Sequence, residues 1–344
     1  MSAQVFAARR LVTVLSVGLF GFVGSASAYE LGPQQLVRAG EWNITVPGYS
    51  VPSFTHWNND GLCDLIVGEG GGGYTGKVRV YLNVGTPTAP QFSTFLYAQS
   101  LGADLTIPAS GCMAGYPRVG HWDGDGKKDL LVGQGDGKIK VFLNTGTDDA
   151  PTFDGGAFLQ VGPAGQKVDI NVGGRATANA VDWNNDGRKD LLVGALDGKL
   201  RVYINEGTDT APDFLTTLIL QAGSSDLLVP SQRSSPALVD WDQDGRKDLL
   251  TGNTNGQLLF YPNVGTDEWP AFSTYTAVTS DGVPIDLPGT NRSRPAVCDW
   301  TGDGLPDVLI GYGDGLVRLY EAVPEPGSVV LLSVGALLIA RVRR

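Results

Sequence analysis

Short apolar runs alternate with polar, glycine-rich loops along the chain, and the alternation itself repeats. In one representative unit Pro236-Ala-Leu-Val239 leads into an acidic loop and Asp248-Leu-Leu-Thr-Gly252 leaves it. Asn255-Gly256 then separates that run from Gln257-Leu-Leu-Phe-Tyr261. Runs of this length between turn residues predict strands, and Asn-Gly or Asp-Gly between two of them predicts a tight hairpin. The same turn stands at Asp136-Gly137, Asp197-Gly198 and Asp314-Gly315. After the third run comes Asn263-Val-Gly265-Thr266, then Pro270 and Phe272, echoed from Asn83, Asn144 and Asn205, and a fourth strand is expected beyond it. Between the end segments no stretch holds a 3.6-residue apolar period, so helices are not expected there.

Each unit is marked by a tryptophan that opens its acidic loop. These stand at 57, 122, 183, 241 and 300, which is 65, 61, 58 and 59 residues apart. Four antiparallel strands in about 60 residues, repeated, describe a β-propeller blade. The expected fold is all-β: a five-bladed β-propeller of four-stranded antiparallel blades, with a linear β-solenoid as the rival architecture. The termini favour the ring. The fifth unit stops at Leu316-Val-Arg-Leu-Tyr320 without a fourth strand, and residues 35–47 echo the fourth-strand segments ending at Pro230 and Pro288. A strand from the N-terminus is therefore expected to complete the last blade, leaving no open edge.

The ends read as addresses. Arg9 and Arg10, an apolar run over 11–23 and Ala26-Ser27-Ala28 predict a secretory signal peptide over 1–28, so the mature chain is expected to be exported. The propeller is assigned to 29–322. Residues 323–344 hold Pro324-Glu325-Pro326, twelve apolar residues over 329–340 and Arg341, Arg343 and Arg344. As a helix that run measures about 18 Å, short of the roughly 30 Å hydrocarbon core of a bilayer, so a transient membrane contact is expected in place of a permanent span.

The net charge is −11, and setting aside the five terminal arginines leaves 20 basic against 36 acidic residues. Nucleic acid and anionic lipid are excluded as expected partners. Fifteen of the acids sit in the five loops, counting from the residue before each tryptophan. Carboxylates so close raise one another's pKa unless a cation lies between them. The loops read Trp57-Asn-Asn-Asp60-Gly61-Leu-Cys-Asp64, Trp122-Asp-Gly-Asp125-Gly126-Lys-Lys-Asp129, Trp183-Asn-Asn-Asp186-Gly187-Arg-Lys-Asp190, Trp241-Asp-Gln-Asp244-Gly245-Arg-Lys-Asp248 and Trp300-Thr-Gly-Asp303-Gly304-Leu-Pro-Asp307.

This grammar resembles the FG-GAP and VCBS repeats, the integrin-α-like propellers, over residues 52–320. The Pro-Glu-Pro triplet, apolar run and basic end resemble a PEP-CTERM sorting signal, which implies processing by an exosortase-type enzyme and a place at the cell envelope or outside the cell. The loops imply calcium, a hard cation that takes six to eight oxygens. The candidate ligands are Asp182, Asp240 and Asp299 at position one, and Asn58, Asp123, Asn184 and Asp242 at position three, where the fifth loop has Thr301. Asp60, Asp125, Asp186, Asp244 and Asp303 stand at position five. Position six is glycine, and Asp64, Asp129, Asp190, Asp248 and Asp307 close the shell at position nine. His56 and His121 replace the first aspartate in two loops, and imidazole suits transition metals better than calcium. Those two sites are expected to be weak or empty and the fourth, with four carboxylates, the tightest. The alternative is that the loops are turns held by aspartates bonding backbone amides.

An enzyme is not expected. The two histidines, His56 and His121, both lie in repeat loops, which leaves no independent base for a triad. Glu69 and Asp136 are the loop carboxyls outside the motifs considered for a catalytic pair. Three cysteines, Cys63, Cys112 and Cys298, are too few for a disulfide framework. A Cys63–Cys112 bridge is not expected, and Cys298 reads as a small core residue. Eight residues before the loop tryptophan stand Arg175, Arg233 and Arg292, on connectors expected at the face opposite the loops. Arginine suits bidentate recognition of carboxylate, sulfate or phosphate, and equally a pairing with a neighbouring unit's acid. The expected function is a non-enzymatic surface binding or adhesion module, with polysaccharide or a surface protein as partner. The rivals are a polysaccharide-acting enzyme on the same scaffold and a purely structural envelope protein.

Overall fold

A computed structural model describes residues 29–70, 75–110, 113–287 and 292–324. The expected signal peptide, residues 325–344 of the expected sorting segment, and Cys112 lie outside them. Among the described residues the regular elements are all strands, and no helix is long and apolar enough to cross a membrane. The architecture is all-β and consistent with a β-propeller.

Five sheets share one antiparallel order among the described residues. The fourth unit is typical, running Ser235–Val239, Asp248–Gly252, Leu258–Tyr261 and Thr276–Ala277. Second strands such as Asp64–Gly68 are buried at every residue, because neighbouring sheets cover both faces. Fourth strands are two residues long and mostly exposed. Each is followed by a small hairpin, as with Gln221–Ala222 and Ser225–Asp226. The predicted Asp-Gly and Asn-Gly turns occupy their places. Gly315 has φ 78°, and an added Cβ there would lie 2.2 Å from the Val46 carbonyl oxygen. That close approach lets Val46 N donate to Gly315 O at 3.0 Å and ties the connector to the hairpin.

The apolar cores lie between sheets, each shared by two consecutive units. One holds Leu65, Val67, Tyr81 and Phe92 of the first unit with Trp300, Leu309 and Leu319 of the fifth. The loop tryptophans are packing residues, since Trp57, Trp183, Trp241 and Trp300 are buried and Trp122 half-buried. All but Trp241 meet an aromatic from the loop after a neighbouring third strand. Trp57 meets Phe153 at 5.7 Å, Trp183 meets Phe272 at 6.4 Å and Trp300 meets Phe92 at 5.9 Å, while Trp122 shares a cluster with Phe214.

The first strands also pack against one another, and Val51–Thr55 touches both Gly115–Gly120 and Arg294–Cys298. Tyr116 Oη lies 3.4 Å from Ser235 Oγ, two units away. Arg118, half-way along its strand, donates to Asn179 Oδ1 at 2.9 Å, Pro52 O at 3.2 Å and Tyr116 Oη at 2.6 Å, so three consecutive first strands share one guanidinium. Burial pushes its pKa down.

The N-terminal segment supplies the outer strand of the last sheet, with Gln35 opposite Leu319 and Leu36 opposite Arg318. One further pairing was not foreseen. Ala322–Pro324 forms a strand against Tyr29–Leu31, placing Leu31 at the backbone position that Phe92, Phe153, Phe214 and Phe272 hold elsewhere. Tyr29 then packs edge-on against Trp241 at 5.3 Å and donates to its carbonyl at 2.7 Å. Replacing this buried ring by alanine, Tyr29→Ala, is expected to cost about 3 kcal/mol of stability. Urea titration of the variant checks this, and a loss under about 1 kcal/mol would show that the terminus is not needed to hold the last unit.

Acidic loops and an arginine cavity

Five positive-φ glycines turn the loops: Gly61, Gly126, Gly187, Gly245 and Gly304, with φ of 79–88°. Around that turn the side chains bond the loop's own amides. The position-five oxygen accepts the position-seven N–H in every loop at 2.8–3.0 Å. At position three, Asn58, Asp123, Asn184 and Asp242 accept the position-five N–H at 3.1–3.4 Å. Asp182 and Asp299 each accept two loop amides, and Asp240 accepts Gly245 N at 3.0 Å. His56 and His121 instead turn Nδ1 onto loop carbonyls, Leu62 O at 2.9 Å and Lys127 O at 3.0 Å.

The position-nine aspartates do something that spacing alone did not reveal. All five are buried, and each uses both oxygens as a clamp. Oδ2 accepts the N–H of the loop tryptophan at 2.7–2.9 Å. Oδ1 accepts the N–H of Asn83, Asn144, Asn205, Asn263 or Ala322 at 2.6–2.9 Å. The carboxylate thereby ties the loop's entry to the end of the third strand. The clamped asparagines are locks in turn, as Asn263 Oδ1 accepts Gly265 N and Ala271 N while its Nδ2 donates to Thr266 O.

The fourth loop fits a hard cation best. Among the described residues, Asp240, Asp242 and Asp244 form the one group of three with ligand oxygens within 4.8 Å of one another. Asp240 Oδ1 is buried without a hydrogen-bond partner, an acceptor suited to a cation. Asp248 is not in that group. At position seven, Lys127, Arg188 and Arg246 reach back to the position-five carboxylates Asp125, Asp186 and Asp244.

The three connector arginines line one small cavity of about 20 Å³, together with Arg294, Ser234 and Ser293. Each sits in the left-handed region, with φ of 55° at Arg175, 58° at Arg233 and 78° at Arg292. The cause is local. Their backbone N–H groups donate to the preceding unit, to Gly135 O, Leu196 O and Thr254 O. The serines behind two of them peg the same unit, with Ser234 Oγ accepting Ala195 N and Ser293 Oγ accepting Asn253 N. Sequence reading missed Arg294 and Tyr49. Both Arg292 and Arg294 stack on the Tyr49 ring at 4.6 Å, and Arg292 also donates to its hydroxyl. Tyr49 stands eight residues before Trp57, the spacing that found the arginines.

The remaining candidates are accounted for. Glu69 is buried, pairs with Arg79 Nε at 2.6 Å and accepts Lys77 N, while Asp136 accepts Lys138 N. Cys63 is a free thiol 3.6 Å from His56 Nε2, and Cys298 is free and only partly buried, packed on the core between first and last units.

Burial raises the carboxyl pKa of all five clamps against the lowering effect of the amides, to about 6 at Asp248. A folded-state value above the ordinary 3.8 means the folded chain binds more protons between those limits, so stability falls as pH rises through about 6. In chelator, the melting temperature is expected to be higher near pH 5.5 than near pH 7.5, and the opposite order would overturn the assignment. Asn263→Ala leaves two amides without their acceptor and is expected to cost about 2 kcal/mol, read by chemical denaturation.

Comparison with known proteins agrees with this geometry in part of the chain. Integrin alpha-4 of Xenopus laevis is 27% identical over 265 residues, covering 72% of this chain and 23% of the integrin. The chain thus spans under a quarter of that relative's length. Among solved structures, a GH62 hydrolase in complex with xylotriose overlaps 87% of this chain and 98% of its own, at TM-score 0.46 and 12% identity. An Agrocybe aegerita lectin that recognises non-reducing terminal N-acetylglucosamine overlaps 86% of this chain and 75% of its own, at TM-score 0.39 and 18% identity. Residues 182–251 and 240–310 match the FG-GAP-like repeat family, so the third, fourth and fifth loops lie in FG-GAP-like repeats.

Proposed function

We propose that the chain is an exported five-bladed propeller, loaded with calcium at its acidic loops, that acts without catalysis as a surface binding or adhesion module for polysaccharide. The observation that carries this reading is the arginine cavity. Arginines from three units line one small space in a protein of net charge −11. Such a lining suits a single carboxylate or sulfate group at its mouth, as a uronate or sulfated sugar presents.

Five sheets in one order, the shared core between first and last units, and the N-terminal strand beside Val317–Tyr320 support the closed ring. The buried, unbonded Asp240 oxygen and its neighbours Asp242 and Asp244 support calcium in the fourth loop. Asp182 and Asp299 head the weaker third and fifth sites. A cation bound there would hold the loop's carboxylates together and stabilise the folded chain by mass action. Export through the 1–28 signal and trimming of 323–344 by an exosortase-type enzyme complete the reading and place the module at the envelope.

Two measurements test it. Calcium is expected to raise the melting temperature and chelator to lower it, and Asp240→Ala should remove most of the shift; indifference to both reagents would sink the calcium reading. On a glycan array, binding to acidic glycans is expected for the wild type and should fall about tenfold or more when Arg175, Arg233 and Arg292 become alanine, the loss of a charge-assisted pair. Turnover of a bound glycan would favour the enzyme instead.

A further inference from the structure

Beyond the arginine cavity, the flank between the third and fourth units holds a larger space. A cavity of about 800 Å³ is lined by Leu218, Ile219 and Gln221 on one side and by Val264, Trp269 and Phe272 on the other. Its size is that of a small-ligand site. Trp269 is 77% exposed, and Val264 and Leu218 beside it are also exposed.

The repeat shows that Trp269 is not there to fold the loop. Thr266 N donates to Trp269 O, and Trp269 N to Thr266 Oγ1. Thr208 makes the same two bonds with Ala211, and Thr86 the same backbone pair with Ala89. Alanine therefore serves the loop in other units, and an indole at this place adds nothing to its hydrogen bonding. The loop is also rigid, being locked by Asn263, so the ring is held out at fixed height. Exposed aromatic surface on a rigid loop over a cavity marks a binding platform.

The polar groups around it define the ligand. The Glu206 carboxylate, which forms no hydrogen bond among the described residues, and Gln221 Oε1, left over while Nε2 bonds Ile219 O and Asp226, offer acceptors. Arg188, whose side chain carries donors only, lines the same cavity. A flat apolar face edged by acceptors and a donor fits a pyranose ring, whose C–H face lies on the indole while its hydroxyls reach the rim.

We propose that this groove binds a neutral polysaccharide chain with one sugar stacked on Trp269. The proposal shares only the ligand class with the function above; the site is separate from the arginines. The test is affinity electrophoresis of the full chain through gels containing galactomannan, xyloglucan or dextran. Retardation is expected in at least one gel, with Trp269→Ala weakening it about tenfold at unchanged melting temperature and Trp269→Phe retaining part of it, as stacking predicts. The bound polysaccharide should also protect tryptophan fluorescence from iodide quenching in the wild type but not in Trp269→Ala. The Arg175/Arg233/Arg292 alanine variant should run as the wild type in these gels while losing acidic glycans, so either site can fail without the other. No retardation in any of the three gels, or equal retardation of wild type and Trp269→Ala, would overturn the proposal.

Discussion

The structure depends on one buried carboxylate per unit. Asp64, Asp129, Asp190, Asp248 and Asp307 each join two backbone amides that lie far apart along the repeat, at the loop tryptophan and at the end of the third strand. Desolvating a carboxylate is costly, and two N–H donors per group offset that cost only in part, which is why the pKa values stand high. The geometry obtained in return is exact in its consequences. The tryptophan is delivered to the inter-sheet core and the asparagine to the loop it locks. Above the clamp, the outer carboxylates at positions one, three and five are left near the surface, where a cation can reach them. Clamp and outer acidic loop are thus two layers of one motif.

From that motif the rest follows by neighbour contact. No sheet buries its apolar face alone; each core is shared with the next unit, as in repeat proteins generally. Terminal repeats in such arrays must be capped or joined. Here the first and last units share a core, and the N-terminal segment supplies both the missing strand and, through Tyr29, the missing aromatic partner of Trp241. Ala322 N takes the clamp position that asparagine holds elsewhere. The substitution works because the clamp uses a backbone amide, which any residue but proline supplies.

Much of this was legible in the residues, for physical reasons. Strand runs, Asp-Gly turns and tryptophan spacing are local and periodic, so they read directly, and the unit lacking a fourth strand pointed to its replacement near residue 35. The clamp was not legible. A carboxylate at position nine looks the same whether its oxygens face an ion or two amides, and the choice is made by partners up to 19 residues away. Arg294 and Tyr49 escaped notice because neither position repeats as arginine, although Tyr49 falls on the connector that the periodic arginines had marked and Arg294 begins the strand that follows it.

Function, in a molecule of this kind, belongs to departures from the repeat. What recurs in every unit, such as the position-nine aspartate, the loop tryptophan and the loop glycine, holds the fold and cannot tell one face of the molecule from another. What differs between units breaks the symmetry and can do so. Arginines occupy the connectors of the third, fourth and fifth units only; tyrosine and alanine stand at the equivalent places of the first two, Tyr49 and Ala114. The fullest acidic loop belongs to the fourth unit, which also carries Trp269. Arg233 and Asp240 lie at opposite ends of Ser235–Val239, a strand of about 17 Å, so the basic and acidic features occupy opposite ends of one short element. A cation at one end and an anion at the other would not compete for the same groups. The residues that separate those two chemistries, together with the indole on the flank, lie in the third to fifth units.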